Sequence, residues 1–259
     1  MSIRFENVTK TFGEKKVLTN ISFEISEGEI VFIIGKSGVG KSVTLKQIVG
    51  LLKPDSGHIY VDNQDVTSLR KRDLPSIRQK CGMVFQHPAL LDSLSIYENV
   101  SFGLRTPQYI NQNPDALSED HIRNVVINAL SLVNLGADIL HKFPNEISYG
   151  MQKRVSLART IAPKPKFLLF DEPTTGSDPI TINAINDLIL DLSRKLNVTS
   201  VVVSHDMGCA LKIADRILVL DQSQILFFGT VTEIQNSEEP LIREFLAESY
   251  PCSERTINK

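Results

Sequence analysis

The stretch "EIVFIIGKSGVGKSVTLKQIVGLL", Glu29 to Leu52, decides how the rest of the chain is read. Ile30 to Ile34 form an unbroken apolar run, the mark of a strand buried on both faces. A glycine-rich turn follows, and then "KSVTLKQIVGLL", read as a helix. A loop between a buried strand and a helix N-terminus aims backbone N–H groups at an anion. Within it, "GKSGVGKS", Gly35 to Ser42, fits GxxxxGK[ST] in the strand and helix context that this pattern requires. The glycines permit a tight loop around a β-phosphate, Lys41 reaches the β- and γ-phosphates, and the Ser42 hydroxyl can ligate Mg²⁺. The plain alternative is an ordinary Gly-rich turn, which the flanking elements argue against.

Outward from this unit, "IRFENV" and "VLTNISFEI" read as two antiparallel strands, with Val17, Ile21, Phe23 and Ile25 alternating with polar residues. Short buried strands recur as "CGMVF", "FLLF" and "TSVVVS", joined to helix-like segments such as "ITINAINDLILDLSRKL", so a mostly parallel sheet is expected. Between Gln86 and Pro163 helices take over: "IYENVSFGLR", then "SEDHIRNVVINALSLVNL" with Ser118 as N-cap, then a helix after Ser148. The Pro- and Asn-rich "TPQYINQNPDA" reads as a connector. After Asp221, "QILFFG" and "PLIREFLAES" predict a last strand and helix with a polar tail. The expected fold class is α/β. An α/β core occupies 1–89 and 164–230, a helical subdomain 90–163, and a C-terminal helix and tail 231–259.

With 259 residues, 42% of them hydrophobic, the chain can bury a full core. A formal charge of −2 argues against a nucleic-acid partner, so anion binding must be local. Cys81, Cys209 and Cys252 are widely spaced and odd in number, which predicts neither a zinc site nor a disulfide framework and fits a reducing cytosol. No apolar run approaches the length of a membrane span, so any membrane role must come through partners.

Further residues carry chemistry. "FLLFDEP" ends a strand with Asp171 and Glu172, at the sheet edge where α/β proteins bind ligands. Asp171 can hold a metal ion and Glu172 can polarise a water, although such a pair alone is often a solvated turn. "VVVSHD" delivers His205 to a similar edge, and Gln86 follows "MVF" likewise; each has a structural or plain-loop alternative. "NEISYGMQKRVSLART", Asn145 to Thr160, opens a second helix suited to an anion: Ser148 as cap, Gly150 for close approach, and Lys153, Arg154 and Arg159 for charge.

Phosphate loop, Gln86, a Ser-x-Gly turn before a basic helix, "FLLFDEPTTGSDP" and "SHD", in this order across nearly the whole chain, resemble the ATPase subunit of an ABC transporter. The resemblance implies a P-loop NTPase core with an antiparallel β subdomain and an inserted α-helical subdomain, using ATP and Mg²⁺. It places ATP against Phe12, Val17 and the loop Gly35, Lys36, Ser37, Gly38, Val39, Gly40, Lys41, Ser42 and Val43. It gives Glu172, His205 and Gln86 catalytic roles, and the metal to Ser42, Gln86 and Asp171. Ser148, Tyr149, Gly150 and Met151 become a signature turn for the nucleotide of a second ATPase subunit, and Gly176, Ser177 and Asp178 a loop at the dimer seam. This accounts for two anion sites in one chain. Tyr149 stands where the family usually has glycine, so an altered turn, or a ring directed aside, is expected together with slower turnover.

"FQHPALLDSLSIYENVSFGLR", "SYGMQKRVSLARTIA", "GSDPIT" and "EEPLIREFL" further resemble ATPases of MCE-linked phospholipid transport. That implies an integral membrane permease, an MCE-domain lipid-binding protein and a place on the cytoplasmic face of the inner membrane. The alternatives are an ATPase of another ABC importer such as the polar amino acid type, a soluble non-transport ABC ATPase, and a nucleotide-binding regulator with little turnover. Methionine importers normally add a C-terminal regulatory domain, for which this chain has no length.

Overall fold

The computed structural model describes residues 2–114, 118–176 and 178–249. Ser177, Cys252, the polar tail and the end of the connector at Asp115 and Ala116 lie outside the described residues. The chain divides into two compact units, Met1–Thr67 with Ser200–Lys259, and Ser68–Thr199.

In the first unit, β1 (Ile3–Phe12) and β2 (Lys15–Ile25) pair antiparallel. β3 (Ile30–Ile34) is buried at every residue, as its unbroken apolar run requires, and leads through the glycine loop into α1 (Lys41–Ile48). The helix is shorter than "KSVTLKQIVGLL" predicts: Gly50 turns left-handed (φ 63°), and the Leu51 and Leu52 N–H groups bond back to the Lys46 carbonyl. β4 (Ser56–Val61) and β5 (Gln64–Asp65) complete an antiparallel sheet in the order β2-β1-β4-β5.

The second unit begins with α2 (Pro75–Lys80) and β6 (Cys81–Val84). A helical run follows: α3 (Ile96–Ser101), α4 (Pro107–Gln112), α5 (Glu119–Leu132) and α6 (Tyr149–Ile161). Ser118 caps α5 as expected, accepting from the His121 N–H. The helix α4 corrects the connector reading of Thr106 to Ala116. Thr106 caps it, Pro107 occupies its first turn, and Tyr109 is buried beneath it. β7 (Phe167–Asp171) pairs parallel with β6, and α7 (Pro179–Leu196) closes this unit's chain of elements.

The first unit resumes at β8 (Thr199–Ser204), which lies parallel to β3, followed by α8 (Met207–Ile213) and β9 (Arg216–Asp221), parallel to β3 on its other side. β10 (Gln224–Thr230) pairs antiparallel with β9, and α9 (Val231–Gln235) and α10 (Pro240–Ser249) end the described chain. The fold class is α/β, with parallel strands in both units.

Candidate functional site

The register of the first unit brings two predicted residues to one strand edge. Ile34 of β3 pairs with Ser204 of β8, so Gly35 and exposed His205 leave neighbouring parallel strands at the same end. The glycines of the loop are individually necessary. A Cβ on Gly35 would stand 2.5 Å from the Leu220 carbonyl oxygen, and one on Gly40 would stand 2.8 Å from Leu18 Cδ2 and 2.9 Å from the Val17 carbonyl oxygen. Gly38 (φ 80°) and Gly40 (φ 112°) also lie in the left-handed region.

Lys41 is 4% exposed, and its Nζ donates to the carbonyls of Gly35 (2.7 Å) and Lys36 (3.1 Å), which folds the ammonium back along its own loop. Lys36, Ser37 and Gly38 are exposed, while Val39, Ser42 and Val43 are half-buried. Val17 is buried against Gly40, and Phe12, at the end of β1, is 47% exposed with Lys10 Nζ 5.3 Å from its ring centroid. The residues fit a polyphosphate: backbone N–H groups, one buried ammonium and a hydroxyl on a helix start, with no space for a Cβ at Gly35 or Gly40.

The second unit repeats the strand-edge arrangement. Val84 of β6 pairs with Phe170 of β7, so half-buried Gln86 and the pair Asp171 and Glu172 leave the same end of a parallel pair. Glu172 adopts a left-handed backbone (φ 50°), a conformation costing a non-glycine residue about 1 kcal/mol or more. Thr175 holds its side chain, donating from Oγ1 to Oε2 at 3.0 Å. Past Gly176, which is left-handed and exposed, Asp178 caps α7 and accepts 3.0 Å bonds from the Ile180 and Thr181 N–H groups. The Thr181 hydroxyl and these N–H groups hold the Asp178 carboxyl below the usual carboxylate range. Among the described residues no group of three or more His, Cys, Asp or Glu side chains could cage a metal. Ser42, Gln86 and Asp171 each carry a side-chain oxygen, the ligand type that Mg²⁺ takes alongside phosphate and water.

Ser148 caps α6, accepting from the Met151 N–H at 3.3 Å. Tyr149 takes the first helical position with no positive φ. Its hydroxyl meets His87 Nδ1 at 3.2 Å, and Lys153 Nζ lies 5.3 Å from its ring centroid. A Cβ on Gly150 would meet nothing within 4 Å. Met151 is half-buried.

The cationic character expected to serve an anion is largely used inside the chain. Lys153 Nζ donates to the Pro173 carbonyl at 3.0 Å, and Arg159 donates to the carbonyls of Ala89 (2.8 Å) and Pro88 (3.2 Å). Burial pushes the pKa values of both cations down. These ties, with His87 and Thr175, escape sequence reading; only the helical spacing of Tyr149 and Lys153 signals that the two side chains meet.

Residues 18–175 match the ABC transporter family. This chain belongs to that family. It is 38% identical over 94% of its length to the intermembrane phospholipid transport system ATP-binding protein MlaF of Haemophilus influenzae, covering 89% of that protein. It is 40% identical to the methionine import ATP-binding protein MetN of Carboxydothermus hydrogenoformans, over 94% of this chain and 71% of that one. Of some longer mycobacterial relatives the chain spans only 66%. Among solved structures, the ATP-binding cassette MJ0796, a dimer in a post-hydrolysis state bound to ADP and Pi, superposes with a TM-score of 0.77 at 34% identity, covering 88% of this chain and 98% of that one. The chain is therefore an ATP-hydrolysing subunit of the ABC transporter class, and the P-loop ATPase fold expected from its sequence is the fold it has.

Proposed function

We propose that this ATPase energises an MCE-linked phospholipid transporter, working as a head-to-tail dimer on the cytoplasmic face of the inner membrane beneath an integral permease. The observation that supports the dimer most is Gly150. Its backbone is ordinary helix and a Cβ there would touch nothing, so no demand of its own chain explains a glycine. A close approach by something outside the chain does explain it. The dimeric relative in complex with ADP and Pi supports the dimer, and the phospholipid-transport relative, 89% of whose length the chain covers, supports phospholipid as the cargo.

In this reading the helical segment 90–163 carries the signature turn, and residues 35–43 hold the phosphates. Bound ATP supplies the phosphoanhydride whose cleavage resets the dimer, and Mg²⁺ neutralises its charge. Lys41 presents its ammonium to the phosphates, and Ser42, Gln86 and Asp171 offer oxygens to the metal. Glu172 accepts a proton from water at its carboxylate, His205 orients the reacting end, and Phe12 stacks on the base beside Val17. Ser148 and the N–H groups after it face the opposing nucleotide, with Gly176 and Asp178 at the seam.

Purifying the tagged chain in detergent from its native host tests this reading. A multi-span permease, an MCE-domain protein and extractable phospholipid are expected. A permease accompanied by an amino-acid-binding protein would replace the cargo, and purification without any membrane protein would favour a soluble ABC ATPase.

A further inference from the structure

Tyr149 makes contacts that a glycine in its place could not. Its hydroxyl is 3.2 Å from Nδ1 of His87, the residue after Gln86. At the far end of the same helix, Arg159 binds the carbonyls of Pro88 and Ala89. The segment leaving Gln86 is thus held to α6 at two points ten residues apart, roughly 15 Å along a helix. One turn beyond Tyr149, Lys153 sits near the tyrosine ring and donates to the carbonyl of Pro173, next to Glu172. A single helix therefore touches the segments carrying Gln86 and the carboxylates, and opens with the signature turn.

We propose that Tyr149 is a positioning residue whose bond to His87 makes the Gln86 segment and the signature turn move as one piece. This rests on the reading of Ser148 to Gly150 as the turn that meets the opposing nucleotide. The phenol donates to Nδ1 when the imidazole proton is on Nε2, and Nδ1–H donates to the phenol oxygen when the ring is cationic, so the tie holds in both states. The Arg159 bonds fix where the segment lies, and the Tyr149 bond sets whether the first turn of α6 follows it. What reads in the sequence as a defect in the signature is a link that glycine-bearing relatives cannot make at this position.

The test is steady-state ATP hydrolysis by the full chain in its membrane complex, for Tyr149→Phe, His87→Ala and the double variant, with thermal midpoints measured alongside. Tyr149→Phe removes one oxygen from an exposed side chain and keeps the ring beside Lys153. Each single variant should lower kcat about three- to tenfold, the range of one hydrogen bond, with little change in the KM for ATP. The double variant should be no slower than the slower single one. His87→Asn, which keeps a nitrogen donor close to the Nδ1 position, should recover most of the loss. Multiplicative losses, an unaffected Tyr149→Phe, or an Asn variant no better than Ala would overturn the tie. Ser148→Arg is assayed in parallel: if it stays active, the signature reading itself fails, whereas an inactive Ser148→Arg with independent Tyr149 and His87 effects removes only the tie.

Discussion

The glycine loop before α1 and the turn at Ser148 to Gly150 before α6 both lead into a helix start, yet their glycines are kept for different reasons. Gly35 and Gly40 are surrounded by their own chain, with carbonyl oxygens and methyl groups closer than any Cβ tolerates, and Lys41 is buried among loop carbonyls. The turn at Ser148 to Gly150 differs: Tyr149 is 48% exposed, a Cβ on Gly150 would meet nothing within 4 Å, and neither has a positive φ. One site is shaped by internal packing, and the other has a shape that internal packing does not require. A half-site waiting for a second surface has the second character.

The contrast is sharpened most by Glu172→Gln, which keeps the shape of the side chain but not its basicity. Hydrolysis should fall roughly 10²- to 10⁴-fold with ATP affinity unchanged. ATP should then hold a dimer detectable by size-exclusion chromatography, and adding Ser148→Arg should return it to monomer. A dimer that survives Ser148→Arg would show that the open turn is not where the second subunit sits.

Lys41→Ala comes next. Deleting an ammonium that meets phosphate oxygens should weaken ATP binding about ten- to a hundredfold by calorimetry, the range of a hydrogen bond to a charged group. Unchanged affinity in a folded variant would remove the loop from the site. Gly35→Ala should then destabilise the fold by about 1–3 kcal/mol in denaturant titration, because the new methyl meets the Leu220 backbone rather than a flexible side chain.

These differences divide what the sequence discloses from what it does not. β3, the loop and α1 are legible because one strand buried on both faces, three constrained glycines and a helix start lie within one short span. Gln86 and Asp171 are legible as strand-end positions for the same reason, and the β6–β7 register puts them at one end. The sequence reading names neither β4 nor β9, although "KPDSG" and "DNQD" flank the first and "ILVL" is an apolar run in the second; their places come from pairing with β1 and β3. It misses α4 because one buried tyrosine and a threonine cap outweigh a loop-like composition. The left-handed Glu172 and the carbonyl partners of Lys153 and Arg159 depend on contacts distant in sequence, which no local pattern encodes.

The smallest expected effect is also the sharpest test of the contrast. Gly150→Ala adds the same methyl group as Gly35→Ala, but into open space on a residue already helical, where alanine is favoured over glycine by up to about 1 kcal/mol. The thermal midpoint should therefore stay level or rise slightly. Turnover in the assembled complex should nevertheless fall, since in the proposed dimer the methyl stands between the N–H groups of α6 and the opposing nucleotide. Loss of activity without loss of stability is the signature of a glycine kept for a surface outside its own chain. If Gly150→Ala instead melts early, as Gly35→Ala should, internal packing governs both regions and the case for an open half-site fails. If it neither melts early nor slows turnover, nothing approaches Gly150 during the cycle, and the opposing nucleotide must be met elsewhere on α6.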